Sequence, residues 1–264
     1  MPHHQTFRKH AQRWFQRAIL APRLLRQIAR LVLTAPRLPE AAGPRHGITG
    51  QGPRLRLLIF GDSSAAGVGA ATQDQALAGA LLQRLAPQSC VHWQIRAKTG
   101  LTTRAALAQL DRRGGFDVVV IALGVNDATR FVRPARWVQQ LRQLCAEFAA
   151  SNPDVRIYLT KLPPLQDFPA VPMPLAQVWG ARAARMNRQL AADLPSFPNT
   201  YLLDPGLPLH PDLMARDGFH PSAAGYAIWA GALAERILID QVQTNMGKSS
   251  KIANSPLDAA QTPP

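Results

Sequence analysis

Three features of this 264-residue chain carry chemistry: a serine after one apolar run, an asparagine after another, and an aspartate three residues before a histidine. The serine is Ser63. It follows Leu55-Arg56-Leu57-Leu58-Ile59-Phe60-Gly61-Asp62 and precedes Ser64 and the small residues Ala65, Ala66, Gly67, Gly69, Ala70 and Ala71. The run has the composition of a buried parallel strand, and small residues let the following backbone turn sharply and approach a ligand. A hydroxyl placed there suits a nucleophile, and the same backbone suits an anion cradle. A phosphate loop needs a lysine, and neither Lys nor Arg occurs between Arg56 and Arg84. The dinucleotide fingerprint fails because Gly67-Val68-Gly69-Ala70-Ala71 continues into Thr72. A third reading has Asp62, Ser63 and Ser64 merely capping a turn and a helix.

A serine hydroxyl needs a base within hydrogen-bond reach, held in turn by a third group. Among the seven histidines, His3, His4 and His10 stand in the N-terminal stretch and His46 in a Pro/Gly-rich connector. His92 opens a strand, and His210 lies in a proline-rich loop. His220 is different: in Asp217-Gly218-Phe219-His220-Pro221-Ser222 a carboxylate three residues earlier can orient the imidazole and stabilise its charged form. A loop salt bridge with Ser222 opening a helix is the plainer alternative. Asn126, in Gly124-Val125-Asn126-Asp127, also reads as an Asx-turn when taken alone.

The elements that must position these residues alternate between apolar runs and helical periodicity. Strands are expected at Arg54 to Asp62, Val91 to Lys98, Phe116 to Leu123, Val155 to Lys161 and Thr200 to Asp204. Helices are expected at Asp74 to Leu85, Thr102 to Arg112, Pro134 to Ala150, Leu175 to Asp193 and Ser222 to Val242. This alternation builds a parallel sheet covered on both faces, an α/β/α sandwich of three layers. With strand order 2-1-3-4-5, ligands bind beyond the carboxyl ends of strands one and three, and Ser63 and Asn126 then face one another. A hydrophobic content of 47% fits one such domain, 54–242, with a basic segment and linker before it (1–53) and a disordered polar tail after it (243–264).

The formal charge of +14 is concentrated at the front of the chain. Residues 1–50 carry nine basic side chains against the single acid Glu40. Between Arg13 and Leu33, Arg23, Arg26 and Arg30 fall on one side of a helix, and Leu24, Leu25, Ile28, Leu31 and Val32 on the other; Trp14, Phe15 and Ile19 precede them. Arginines interrupt every window long enough to span a membrane, and no unbroken apolar stretch suits a cleavable signal. The segment therefore reads as an interfacial anchor on anionic lipid, a helix packed on the domain, or a targeting sequence. A cytoplasmic or peripherally membrane-associated location follows. Thr34 to Pro53, rich in Pro and Gly, reads as a linker. No nucleic-acid motif accompanies the charge, which argues against nucleic-acid binding. Cys90 and Cys145 cannot form a disulfide framework, and Cys145 falls on an apolar helix face. No metal-ligand set and no cofactor motif stand out.

Taken together, Gly61-Asp62-Ser63, Gly124-Val125-Asn126-Asp127 and Asp217-Gly218-Phe219-His220, in this order and on these elements, resemble the SGNH, or GDSL-type, esterases and lipases; Gly100 fits a fourth block. The resemblance covers roughly Leu55 to Ala234 and implies a flavodoxin-like SGNH hydrolase fold. It implies Ser63 as nucleophile, His220 as base and Asp217 as the residue holding the ring. It also implies an oxyanion hole of the Ser63 and Gly100 N–H groups and the Asn126 amide. Ser64 stands where the family's name motif has Leu, and only the resemblance selects Ser63 over its neighbour. The implied substrate is an acyl ester, with a lipid-like chain preferred over an acetylated sugar; a carbohydrate O-acetyl esterase or thioesterase is the alternative on the same site. A catalytically silent lipid-surface binding protein on this fold is the rival from another class. The loop Leu162 to Pro174, after the fourth expected strand, reads either as an acyl wall or lid or as a rigid loop packed down on the domain.

Overall fold

In the computed structural model, residues 20–111 and 113–253 are described, with side chains to residue 243. Helix α1 covers residues 20–34. It is followed by β1 (His46–Thr49), β2 (Arg54–Gly61), α2 (Leu77–Leu85), β3 (Cys90–Ala97), α3 (Thr103–Ala108) and β4 (Val118–Ala122). Next come α4 (Val125–Thr129), α5 (Pro134–Ser151), β5 (Arg156–Thr160), α6 (Leu175–Asp193), β6 (Thr200–Leu203) and α7 (Ala223–Ala253).

The strands form one sheet in the order β1-β3-β2-β4-β5-β6, parallel except for β1, which runs antiparallel to β3. The parallel strands alone follow the expected 2-1-3-4-5 order. Their central members read as unbroken apolar runs because both faces are covered. Leu58, Phe60, Val119, Ile121, Ile157 and Leu159 pack beneath α5 and α6 on one side. Leu57, Ile59, Val118, Val120 and Tyr158 pack beneath α2 and α7 on the other. In register, Gly61 of β2 sits beside Ala122 of β4, so both strands end level and the reversal of strand order falls between them. A side chain on Gly61 would place its Cβ 2.2 Å from the Ala122 carbonyl oxygen. Only glycine permits this approach of the two strand ends.

Three features differ from the sequence expectation. Within the expected linker, His46–Thr49 pairs along β3, and Glu40 accepts hydrogen bonds from the Thr99 N–H (2.7 Å) and hydroxyl (2.8 Å). An edge strand that is mostly exposed needs no apolar alternation, which is why composition hides it. Asn126 and Asp127 lie in the short helix α4 rather than in a simple turn. Helix α7 continues to Ala253, beyond Val242, into the segment expected as a disordered tail; residues 254–264 lie outside the described residues.

Helix α1 realises only part of its apolar face. Leu24, Ile28 and Leu31, spaced i, i+4 and i+7, pack against the core beneath α5 and α6, whereas Leu25, Val32 and Leu33 stay 64–82% exposed with Arg23, Arg26 and Arg30. Trp14, Phe15 and Ile19 lie outside the described residues. No helix among the described residues is long and apolar enough to cross a membrane.

Candidate active site

Beyond Gly61, the chain makes a compact turn instead of entering a helix. The Asp62 N–H donates to the Ala122 carbonyl (3.0 Å), the Ala66 N–H to Asp62 O (2.9 Å), and the Val68 N–H to Ser63 O (2.9 Å). The small residues after Ser63 have a tertiary purpose. A Cβ on Gly69, which has φ +103°, would lie 2.3 Å from the Pro221 carbonyl oxygen and 3.2 Å from His220 Cβ. The serine turn and the histidine turn are thereby packed against each other. Tyr226 of α7 reinforces the junction, its buried hydroxyl donating to Val68 O at 2.7 Å.

At this junction His220 Nε2 lies 2.8 Å from Ser63 Oγ, and His220 Nδ1 lies 2.6 Å from Asp217 Oδ2. The other Asp217 oxygen accepts from the backbone N–H groups of Phe219 (3.0 Å) and His220 (3.1 Å). Burial opposes ionisation of Asp217, but the imidazole and the two N–H groups outweigh it and hold the carboxyl below the usual range. An ionised Asp217 accepts from Nδ1–H. That tautomer leaves Nε2 free to accept the Ser63 proton. The chain of groups is thus polarised in the direction that increases the nucleophilicity of Ser63 Oγ.

Asn126 enters from α4 across the strand-order reversal. Its Nδ2 donates to Asp62 Oδ2 and to the Leu101 carbonyl, each at 3.2 Å. Asp62 is 4% exposed and also accepts from the Ser64 N–H at 3.1 Å. Burial drives its carboxyl up to about 6, against these hydrogen bonds. Gly100, with φ +78°, precedes α3 in a loop held from three sides: by Glu40 through Thr99, by the Arg130 guanidinium on the Gly100 carbonyl (3.2 Å), and by Asp127. Fully buried Asp127 accepts from the N–H and hydroxyl of Thr103, both at 2.9 Å, tying α4 to the start of α3.

Ser63, Gly100, Asn126 and His220 line one cavity of about 700 Å³, and Asp217 stands behind His220. The cavity walls are largely apolar, from Leu162, Phe168, Trp179, Leu209, Met214 and Phe219. The Leu162 to Pro174 loop is packed down on the domain and also lines the cavity. Leu165, Phe168 and Val171 are buried, Leu162 and Phe168 face the cavity, and Phe168 meets Phe219 edge-on with ring centroids 5.9 Å apart. The backbone geometry brings together every sequence-derived site residue. Asp62, Asp127 and Glu40, which hold those residues, escaped sequence reasoning because their partners are distant in the chain. Among the described residues, no group of three or more His, Cys, Asp or Glu side chains is placed to hold a metal ion.

Residues 59–228 match the model of the GDSL-like lipase/acylhydrolase family, well over half of the chain. The chain belongs to that family. A GDSL-like esterase of Mycobacterium tuberculosis is 31% identical over 192 residues, covering 68% of this chain and 60% of its relative. The esterase TesA of Pseudomonas aeruginosa is 30% identical over 181 residues, covering 67% and 85% respectively. In three dimensions, the fold of this GDSL-like chain matches that of the psychrotrophic esterase EstA from Pseudoalteromonas sp., with a TM-score of 0.54 at 21% identity. That match spans 69% of this chain and 96% of EstA.

Proposed function

We propose that this protein is a carboxylic ester hydrolase that works through an acyl-enzyme on Ser63. The unbroken Ser63–His220–Asp217 hydrogen-bond chain, whose first two members line an apolar cavity, carries this reading. Its family and the esterase names of its relatives agree with it.

In the proposed cycle, Ser63 Oγ attacks the ester carbonyl carbon while His220 Nε2 takes the hydroxyl proton, and Asp217 stabilises the imidazolium. The charge on the carbonyl oxygen is met by the N–H groups of Ser63 and Gly100 and by the Asn126 amide, where a negative oxygen competes with Asp62 for one of its hydrogens. Collapse of the tetrahedral intermediate breaks the bond to the alcohol oxygen, which receives the proton from His220. Water then attacks the acyl carbon with His220 again accepting a proton, the bond from that carbon to Ser63 Oγ breaks as His220 returns the proton to Oγ, and the acid leaves. The apolar walls favour a lipid-like acyl chain over an acetylated sugar, because burying methylenes returns about 0.8 kcal/mol each. An acetyl group on a carbohydrate would use the same chemistry but leave most of the cavity unfilled, and a thioester would use it with a thiol as the leaving group.

A second element of the proposal concerns the membrane. The exposed Leu25 and Leu33 of α1, on the same helix as Arg23, Arg26 and Arg30, support a peripheral contact with anionic lipid. Vesicle co-sedimentation tests it: binding to phosphatidylglycerol but not phosphatidylcholine, lost on reversing the three arginine charges, is expected.

The deciding experiment is hydrolysis of p-nitrophenyl esters from acetate to palmitate by the wild type, Ser63→Ala and Ser64→Ala. Activity should vanish in Ser63→Ala and persist in Ser64→Ala. Turnover surviving in Ser63→Ala would overturn the nucleophile, and a wild type inactive on every ester would favour the silent binding protein.

A further inference from the structure

We infer that helix α1, through Leu31 and Val32, forms one wall of the acyl cavity and sets the chain length that the site accepts; this rests on the ester-hydrolase reading above. Both residues line the cavity that contains Ser63 and His220, although they belong to the segment preceding the sheet. The remaining walls come from elements of the sandwich itself: the β5–α6 loop, α6, and the loop leading to His220.

The attachment of α1 is specific. Gln27 Nε2 donates to the Met173 carbonyl at 2.6 Å, and Gln27 Oε1 accepts from the Leu175 N–H at 3.3 Å. One amide thus bridges two backbone groups of the loop that carries the opposite wall, and it satisfies an N–H in the first turn of α6 that has no partner within the helix. Leu24, Ile28 and Leu31 supply the matching apolar stripe. Together these contacts fix the rotation of α1 so that Leu31, and Val32 next to it, face the cavity rather than the arginines on the other flank.

The two kinds of wall differ in rigidity. Leu162, Phe168 and Trp179 are each at least 94% buried, whereas Leu31 is only half-buried and Val32 is 64% exposed. A bulkier side chain on α1 therefore shortens the cavity without disturbing the catalytic turn or the core. Each methylene that loses its contact should lower kcat/KM about fourfold.

The test uses the full chain with Leu31→Trp, Val32→Trp and Leu31→Ala, assayed on p-nitrophenyl acetate, butyrate, octanoate and dodecanoate. In the tryptophan variants, the ratio of kcat/KM for octanoate and dodecanoate to that for acetate should fall at least tenfold. Leu31→Ala should move the optimum to longer chains. Unchanged chain-length profiles with acetate turnover retained would overturn the wall. Dodecanoate binding to the same proteins, measured by calorimetry, separates this inference from the chemistry. If no ester is hydrolysed, binding weakened at least tenfold in Leu31→Trp and Val32→Trp still supports the wall, and equal binding removes it. A folding defect in Leu31→Trp leaves Val32→Trp, at a mostly exposed position, to decide.

Discussion

Asn126 Nδ2 donates to Asp62 Oδ2 at 3.2 Å, so the residue next to the proposed nucleophile also holds the proposed oxyanion donor, 64 positions away in sequence. The Asp62 carboxylate meets the Ser64 N–H with one oxygen and the Asn126 amide with the other. It links the end of β2 to the start of α4 at the point where the strand order reverses. The geometry of the nucleophile turn and that of the amide are therefore coupled through one buried acid.

Replacing the amide should affect turnover far more than binding. Asn126→Ala removes a donor that is stronger toward a developing oxyanion than toward a neutral carbonyl, so kcat should fall about 10²–10³-fold with KM nearly unchanged. Steady-state kinetics on p-nitrophenyl butyrate measures both constants. A change confined to KM would show that Asn126 only binds substrate.

Asp62 should leave a signature in the pH dependence of stability. Its carboxyl is raised from 3.8 to about 6 by burial, so between about pH 4 and pH 6 the folded state holds a proton that the unfolded state has released. Stability must then fall as pH rises through that window, by on the order of 3 kcal/mol from this group alone. Asp62→Asn cannot ionise. Comparing urea unfolding of the two proteins at pH 4 and pH 7 should show the wild type losing ground to the variant by roughly that amount. A gap independent of pH would mean that Asp62 ionises normally. The same variant turns an amide toward the Asn126 donors, and its kcat should fall even where its stability does not.

The difference between what sequence reveals and what it hides is visible at this coupling. The five parallel strands are legible because strands buried on both faces must be continuous apolar runs, as Leu57 to Phe60 and Val118 to Ala122 are. Ser63, Asn126 and His220 stand out in the sequence as candidates because each follows a strand end or lies in a turn with residue types suited to acyl transfer. Their distances are not legible, and neither is Asp62 as a support, because its hydrogen bond to Asn126 exists only once β2 and β4 are paired. Strand β1 stayed hidden for a different reason. His46–Thr49 is short, largely exposed and flanked by Gly and Pro, so only its pairing with β3 identifies it. Helix α4 is five residues long, too short for helical periodicity to emerge.

The contact between the Ser63 turn and the His220 turn should be intolerant of a single methyl group. At Gly69 a Cβ would meet the Pro221 carbonyl oxygen at 2.3 Å, backbone that cannot swing aside, and φ of +103° is strained for any L-residue. Gly69→Ala should cost more than about 2 kcal/mol in chemical denaturation and lower kcat by moving Ser63 away from His220. Gly206→Ala is the control. It too has positive φ, but its Cβ meets nothing within 4 Å, so only the backbone term, about 1 kcal/mol, should appear. Equal losses in the two variants would show that the close approach carries no weight.

Asp217 should show the opposite pH behaviour to Asp62 and a larger effect on turnover. The His220 ring and two backbone N–H groups hold its carboxyl low, so its contribution to stability is present above about pH 4 and disappears as pH falls through the lowered folded value. In Asp217→Asn that acid-side loss should vanish. The amide oxygen can keep both backbone N–H groups, which donate to the same Asp217 oxygen, but an amide N–H turned toward Nδ1 forces the ring into the tautomer with its proton on Nε2, and Ser63 then has no acceptor. A fall in kcat of about 10⁴-fold is expected, the loss typical of neutralising the acid in such a set. Measuring kcat on p-nitrophenyl acetate together with unfolding below pH 4 separates the two roles. Turnover within tenfold of the wild type would remove Asp217 as the residue that orients His220, even if the change in acid stability appeared as expected.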